Sequence, residues 1–343
     1  MPGVEKIRLM IVDDSLLFRE LVIQGLEGDG RIEVVGFAAD PFETKDKLPL
    51  LEPHVLLLDV EMPKMDGIKF LRSLMPQYPL PVIIISSLAV SVFEALDAGA
   101  LDFIAKPQRR EDYGDFFAEL REKVVAASKA RFAFRRKQNV SIELKPEGVA
   151  GPVNADKVIA IGASTGGTDA ITSILTKFSG NMPGMVVVEH MPSGFTKMFA
   201  QRLDEACNLE VREATDGDMV RPGTVLIAPG GFQMELEKAG GVYRVRCARG
   251  EPVNGHQPSV DVLFSSVAAA AGKDAVGVIL TGMGVDGALG LLRILEAGGR
   301  TVGQDERSSV VYGMPMAAFL MGAVQTQLPL FRIADEILRL AEG

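Results

Sequence analysis

The sequence contains 343 residues, of which 24% are charged, and it carries a formal net charge of −9 at pH 7. A chain of this length is expected to form two domains, and its acidic balance argues against nucleic acid as a partner, because phosphate backbones require a concentrated basic surface. Its two cysteines are too few for a disulfide framework, and it shows neither a secretory signal nor an apolar run of roughly 20 residues.

Five short apolar runs alternate with amphipathic stretches in the first half of the chain. Continuous apolar runs indicate strands that are covered on both faces, as in a parallel sheet flanked by helices. The βα pattern repeats five times, with predicted strands at residues 7–12, 32–38, 54–60, 81–86 and 101–106. We therefore predict a flavodoxin-like, doubly wound α/β domain over residues 1–126.

Polar side chains follow these predicted strands at their carboxyl ends. Asp13 and Asp14 follow the first strand, Asp59 closes the third, and Ser86 and Lys106 end the fourth and fifth. In an open α/β sheet these ends meet in one crevice. Converging carboxylates repel one another unless a hard cation holds them, and Mg²⁺ prefers oxygen ligands. The set predicts a magnesium-dependent site in which a carboxylate accepts a phosphoryl group.

The motifs VDDS, LLLDVEMPKMDG, SS and AKP resemble the receiver domains of two-component response regulators, over roughly residues 7–125. The resemblance implies that Asp59 is the phosphorylated aspartate and that Ser86 and Lys106 contact the phosphoryl group. The implied metal ligands are Asp13, Asp14, Asp59 and the backbone carbonyl of Glu61. A receiver domain indicates that an activity is regulated but does not identify that activity, so the regulated function should lie in the second half of the chain.

The regular spacing of apolar residues is lost over residues 127–155, and this segment carries a basic cluster. We interpret this segment as a solvated linker, and a docking role for the basic cluster is the alternative. The βα alternation then resumes over residues 156–343, with predicted strands at 158–161, 184–190, 224–229, 275–280 and 300–304. Residues 232–248 instead alternate apolar and polar side chains around Gly240 and Gly241, which indicates an antiparallel hairpin. We predict a second doubly wound parallel α/β domain with a β-hairpin.

The stretch GASTG places Ser164 between glycines at a predicted strand-to-helix turn. The pattern G-x-S-x-G at such a turn is typical of hydrolases that expose a nucleophilic serine. It lacks the lysine of a P-loop and the spacing of a dinucleotide loop, but a phosphate-binding or helix-capping role remains open on the motif alone.

A serine needs a positioned base, and the chain has 3 histidines. His190 ends a predicted strand and should face the same crevice as Ser164, whereas His54 lies at the start of a predicted strand of the first domain, at the end opposite the acidic site. His256, just before a predicted helix, is the rival base. Asp286 lies beyond another strand end, where it either orients the histidine or caps the following helix. The glycines around Met283 suit a backbone that approaches a developing oxyanion.

A second resemblance follows from GASTGG, EHMPSGFTKMFAQRL, APGGFQMEL, NGHQPSVDVLFSSVA, VILTGMGVDGALG and SSVVYGMP. These motifs resemble the catalytic domain of the chemotaxis protein-glutamate methylesterases, the CheB family, and with the receiver the match spans nearly the whole chain. The resemblance implies Ser164 as nucleophile, His190 as general base and Asp286 as orienting carboxylate, with Thr165 and the Met283 N–H as oxyanion donors. It implies no cofactor for the ester chemistry.

The resemblance also implies the partners and the regulation. The substrates would be glutamyl methyl esters, and glutamines, of methyl-accepting chemotaxis receptors, with a chemotaxis histidine kinase as phosphodonor. We expect a cytoplasmic monomer that is not embedded in a membrane and that phosphorylation activates. A receiver-controlled, non-enzymatic ligand-binding regulator is the alternative. Three positions depart from the family pattern, and they leave the substrate preference open: Glu189, Gln233 and Val285.

Overall fold

The structure, a computed structural model, describes residues 6–62, 67–130, 154 and 156–342, with the side chain of Val90 excepted. The chain divides into two compact units, Met1–Arg136 and Lys137–Gly343. Most of the predicted linker, including its basic cluster, lies outside the described residues. The domain limits at residues 126 and 156 therefore stay predictions. Within the described residues, no helix is both long and apolar enough to cross a membrane.

The first unit is a parallel sheet with helices on its connections. Its strands are β1 (Ile7–Val12), β2 (Ile32–Ala38), β3 (Val55–Asp59), β4 (Val82–Ser86) and β5 (Asp102–Ala105). Its helices are α1 (Leu16–Leu26), α2 (Pro41–Leu51), α3 (Gly67–Leu74), α4 (Ala89–Asp97) and α5 (Tyr113–Lys129), and a short 3₁₀ turn (Arg110–Asp112) precedes α5. The strand order is β2-β1-β3-β4-β5, which is the predicted doubly wound arrangement.

Burial explains why the strands of this unit read as continuous apolar runs. All five residues of β3 and of β4 are buried, because helices cover both faces of the sheet. Each of the five predicted strands agrees with the structure to within one residue at either end. The polar residues that follow these strands are therefore brought to one edge of the sheet, as expected.

The second unit contains a larger parallel sheet and a hairpin. Its strands are β6 (Val158–Ala163), β7 (Gly184–Glu189), β8 (Glu210–Glu213), β9 (Thr224–Ile227), β10 (Gln233–Ala239), β11 (Val242–Ala248), β12 (Ala275–Ile279), β13 (Arg300–Gln304) and β14 (Thr326–Leu328). Its helices are α6 (Gly167–Leu175), α7 (Phe195–Ala206), α8 (Val260–Ala271), α9 (Ala288–Glu296), α10 (Met314–Leu320) and α11 (Leu330–Glu342), with a 3₁₀ turn at Gly272–Asp274. The predicted fold class and hairpin are confirmed.

The order of the 7-stranded sheet is β14-β13-β12-β6-β7-β9-β8. The chain moves from β6 to β7 on one side of the sheet and later returns to pair β12 with the other side of β6. Ligand sites of open α/β sheets lie at such a reversal, beyond the carboxyl ends of the strands. Ser164, His190 and Asp286 follow the three central strands β6, β7 and β12, so the fold brings all three candidates to that crevice.

Candidate functional site

Ser164 lies on a tight turn between a strand and a helix. Strand β6 ends at Ala163, and α6 begins at Gly167 after Gly166, whose φ of 77° is readily adopted only by glycine. The Ser164 N–H donates to the carbonyl of Thr281 at 3.0 Å, which ties the turn to the loop after β12. The strand–turn–helix context predicted for a nucleophilic serine is therefore present.

A carboxylate at the start of α6 argues against the phosphate-binding interpretation of this loop. Glu189 is only 4% exposed. Its Oε2 atom would lie 2.1 Å from a Cβ added at Gly167, the first residue of α6. A phosphate loop uses the open start of its helix for the anion, and here a carboxylate is packed against that start. The departure at Glu189 thus disfavours an anionic ligand next to Ser164.

His190 is placed beside Ser164 by the register of two neighbouring strands. Ala163 pairs with Glu189, so the next residues along β6 and β7 are Ser164 and His190. The ring Nε2 of His190 lies 2.9 Å from Oδ2 of Asp286. Its Nδ1 is buried and has no hydrogen-bond partner in the described part of the chain. Within that part the structure brings the histidine into contact with the carboxylate, whereas no hydrogen bond joins Nδ1 to the Ser164 hydroxyl.

Asp286 is held by the start of helix α8. It is 1% exposed, and besides His190 its carboxylate accepts from the Ser259 hydroxyl at 2.8 Å and from the Val260 N–H at 2.7 Å. The Asn254 amide donates to Oδ1 at 2.8 Å. Burial alone would raise the pKa of Asp286, but the hydrogen bonds from His190, Asn254 and Ser259 outweigh it and hold the pKa well below its ordinary value. The group is therefore a fixed anion facing the imidazole.

The helix-cap interpretation of Asp286 is wrong. Helix α9 begins at Ala288 with Gly287 as its N-cap, and no side chain caps it. Asp286 instead accepts from the first N–H groups of α8, a helix that precedes it in the chain, where the dipole favours a negative charge. The sequence did not predict these contacts with the start of α8, because Val260 and Asp261 are far from Asp286 in the chain.

His256, the rival base, also lies at the site. Its ring stacks on that of His190 with a centroid separation of 3.7 Å and an interplanar angle of 10°. The carboxylate of Asp286 contacts His190, so the orienting group belongs to His190 and favours it as the base. His54 lies in the other unit, where its ring accepts from the Arg8 N–H.

The loop after β12 supplies the candidate oxyanion donor. The carbonyl of Gly282 accepts from the N–H groups of Gly313 and Met314, which fixes the loop at the start of α10. The N–H of Met283, the next residue, makes no hydrogen bond within the described residues. Thr165, the other candidate donor, is buried, and its carbonyl accepts from the Thr281 hydroxyl at 3.0 Å. The free Met283 N–H suits a donor that awaits a substrate oxygen.

A methyl group at Gly282 is expected to disturb this loop. A Cβ there would lie 2.3 Å from Met314 Sδ and 2.9 Å from Ser164 Cβ, so Gly282→Ala must displace the loop or the serine. We expect kcat to fall by about 10²-fold, because small misplacements at a reacting centre are that costly. The measurement is ester hydrolysis by the folded variant. Gly250→Ala, whose added Cβ makes only an ordinary contact at 3.7 Å, is the control, and equal activity in both variants would contradict the prediction.

A second candidate site lies at the carboxyl edge of the first sheet. Carboxylate oxygens of Asp13, Asp14 and Asp59 come within 4.8 Å of one another and could hold a metal ion. Lys106 Nζ donates to Asp13 at 3.0 Å and to Asp59 at 2.8 Å. Burial raises the pKa of Asp13 to about 6, although Lys106 opposes the shift. A cation would relieve this crowding of buried carboxylates, so the donor set fits a hard divalent ion.

Ser86 and Glu61 are paired in a way that the sequence did not predict. The Ser86 hydroxyl donates to the Glu61 carboxylate at 2.7 Å, and that carboxylate also accepts from the N–H groups of Ser87 and Leu88, both at 3.1 Å. The Glu61 N–H donates to Asp59 Oδ1 at 2.8 Å. The Glu61 side chain thus holds the loop after β4 beside the candidate phosphoryl acceptor, whereas its metal role through the carbonyl stays a prediction.

Comparison with known families identifies both units. Residues 159–337 match the family described as CheB methylesterase, and residues 9–115 match the response regulator receiver domain. A crystal structure of the CheB methylesterase catalytic domain of Thermotoga maritima is similar, with a TM-score of 0.53 and 37% identity. The match covers 54% of this chain and 98% of that one.

Two full-length relatives are similar over nearly the whole chain. A protein of Syntrophomonas wolfei named protein-glutamate methylesterase/protein-glutamine glutaminase 2 is 54% identical over 339 residues, covering 98% of both chains. A protein of Salmonella typhi named protein-glutamate methylesterase/protein-glutamine glutaminase is 45% identical over 340 residues, covering 97% of this chain and 96% of its own. The relatives therefore share both units in the same order.

Proposed function

The chain belongs to the CheB methylesterase family, and on that premise we propose that Ser164, His190 and Asp286 carry its reaction. The protein is a receiver-controlled protein-glutamate methylesterase and protein-glutamine glutaminase. The observation that carries the site assignment is the contact between His190 and the buried Asp286 beside the Ser164 turn. The non-enzymatic regulator finds no support among the relatives.

The first half of the reaction forms an acyl-enzyme. Ser164 Oγ attacks the carbonyl carbon of the glutamyl ester while its proton passes to His190 Nδ1. The charge that develops on the imidazole is stabilised through Nε2 by Asp286, which stays ionised. The tetrahedral intermediate collapses, the C–O bond to the methoxy group breaks, and His190 returns the proton so that methanol leaves. With a glutamine side chain, the same steps release ammonia.

The second half returns the free enzyme. His190 takes a proton from water, the resulting hydroxide attacks the acyl carbon, and the bond to Ser164 Oγ breaks with the proton restored to the serine. Negative charge on the carbonyl oxygen is stabilised in both halves by the Met283 N–H, with Thr165 as the second candidate. Removing one such donor typically costs about 10² to 10³-fold in kcat, less than removing the nucleophile.

Phosphorylation at the acidic cluster of the receiver regulates the esterase in this proposal. We assign Asp59 as the phosphoryl acceptor, with Asp13, Asp14, Asp59 and the Glu61 carbonyl as ligands of Mg²⁺. When bound, the cation neutralises charge on the transferring group. Lys106 already contacts two of these carboxylates and would pair with the phosphoryl oxygens. The phosphodonor would be a chemotaxis histidine kinase, and the substrates methylated glutamates of chemoreceptors.

Methanol release from methylated receptor fragments tests the function. The intact protein should release methanol, and Ser164→Ala should not. Ser173→Ala, a serine on α6 away from the turn, is the matched control. Absence of Ser164-dependent release from folded protein on a validated substrate would refute the esterase assignment, and ammonia release from glutamine-containing fragments would then separate a glutaminase from an inactive protein.

Phosphorylation control is tested at Asp59. With Mg²⁺ and a small phosphodonor the methanol release of the intact protein should rise, and Asp59→Asn should abolish that rise while keeping the unstimulated rate. We expect this loss because Asp59 contacts Lys106 and also belongs to the acidic cluster, so it lies where a phosphoryl group would be held. Chelation of Mg²⁺ should have the same effect as the substitution. Asp46→Asn, at an exposed position on α2, serves as control, and a stimulation that survives Asp59→Asn would show another acceptor.

A further inference from the structure

A short turn before helix α8 contacts both of the groups that assist Ser164. Val253 and His256 exchange two backbone hydrogen bonds, of 3.0 and 2.9 Å, across Asn254 and Gly255. The two central residues have φ values of 53° and 81°, and an Asn-Gly pair adopts this kind of hairpin turn readily. We call residues Val253–His256 the Asn-Gly turn. The Asn-Gly sequence favours this left-handed backbone.

One end of the Asn-Gly turn covers the histidine. The His256 ring lies parallel to the His190 ring, with centroids 3.7 Å apart. Within the described residues the His190 ring has one hydrogen bond, from Nε2 to Asp286, while Nδ1 has none. One hydrogen bond at the far side of a ring leaves it able to tilt. A flat neighbour in stacking contact limits that tilt and keeps Nδ1 aimed in one direction.

The same turn also reaches the carboxylate. Asn254 Nδ2 donates to Asp286 Oδ1 at 2.8 Å and to Asp261 Oδ2, also at 2.8 Å. The amide thereby ties the carboxylate to the first turn of α8. Two residues of one turn, separated by Gly255, therefore contact the two assisting groups: Asn254 contacts the aspartate and His256 contacts the histidine.

Gln233 fixes the Asn-Gly turn to the rest of the unit. Its side chain is nearly buried, with 8% exposure. Its Nε2 donates to the carbonyl of His256 at 3.2 Å, and its Oε1 accepts from the N–H of Ser259 at 2.8 Å. The glutamine thus bridges the turn and the N-cap of α8. This gives a structural account of one departure from the family pattern, since an amide supplies both the donor and the acceptor.

We propose that the Asn-Gly turn is a positioning element, in which His256 orients the His190 ring and Asn254 orients Asp286. His256 is then a positioning residue and not the base. This inference rests on the proposed function, because it assigns the turn to the Ser164 reaction. Its effect should fall on kcat and leave KM nearly unchanged, because neither contact is made to substrate.

The test combines kinetics with a readout that needs no substrate. His256→Ala should lower kcat about 10 to 100-fold, by analogy with the cost of losing groups that orient metal ligands. His256→Phe, which keeps a flat ring for stacking, should restore most of that loss. Asn254→Gly keeps the left-handed backbone and removes the amide, and should lower kcat in the same range. His54→Ala is the matched histidine control.

The second readout is the imidazole N–H of His190, followed by ¹⁵N-edited NMR on the intact protein. Its exchange with water should be slow in the unmodified protein and faster in His256→Ala and Asn254→Gly. If both variants keep the kcat and the exchange rate, the positioning role is refuted. If His256→Phe is as damaged as His256→Ala, stacking is not the means. Failure of Ser164-dependent hydrolysis would count against the proposed function alone, since the exchange rates still decide the positioning role.

Discussion

Replacing Ser164 by alanine is expected to lower kcat for ester hydrolysis by about 10⁴-fold or more, which is the usual cost of losing a triad nucleophile. His190→Ala should fall to the same level, because the serine is a poor nucleophile without its base. The double variant should be no worse than either single one, since groups that act as a unit are not additive. The measurement is methanol release at saturating substrate.

The comparison with His256 decides which histidine is the base. The His256→Ala variant should stay well above the His190→Ala variant, because Asp286 contacts His190. Ser173→Ala and His54→Ala control for loss of a serine or a histidine elsewhere. A His190→Ala protein that is folded and retains most of its activity would transfer the base role to His256 and overturn the assignment.

Asp286→Asn is expected to lower kcat by about 10⁴-fold, as for orienting aspartates of this kind. The asparagine keeps the size of the side chain but loses the anion that stabilises the charged imidazole. It also presents an N–H₂ group to partners that all donate, among them Ser259 and Val260. We therefore expect a loss of stability alongside the loss of rate.

The two effects on Asp286→Asn can be separated. Thermal unfolding of the variant measures the stability loss, and kcat at a temperature where the variant is fully folded measures the chemical loss. Asp274→Asn, at a half-buried position just before β12, is the control. A folded Asp286→Asn variant within tenfold of the unmodified kcat would show that another group orients His190.

Much of the fold follows from local patterns in the sequence. The buried strands were visible as continuous apolar runs, and the hairpin as alternation around Gly240 and Gly241, which do form its tip. Strands β8 and β14 were missed. Both lie at the edges of the sheet, where β8 reads EVRE and β14 spans only three residues, so neither carries the apolar signal of a covered strand.

For the candidate site, the sequence predicts which residues lie at the carboxyl ends of the strands but not their side-chain contacts. The sequence places Ser164, His190 and Asp286 at one edge and favours His190 over His256 as the base, but it does not show that the two histidine rings are stacked. Nor does it tell which ring nitrogen faces the carboxylate. The partners of Asp286 come from a preceding loop and helix, and the roles of Asn254 and Gln233 depend on side-chain directions that no spacing encodes.

The reversal of strand order at β6 has a consequence for biosynthesis. Val158 of β6 pairs with Ala275 of β12, which follows it in the chain by 117 residues. At ribosomal elongation rates of 5 to 20 residues per second, that interval takes about 6 to 23 s. Until β12 has been synthesised, the edge of β6 opposite β7 has no strand to pair with. The segment that closes this edge leads directly into Asp286, so the proposed triad stays incomplete until this strand has been synthesised.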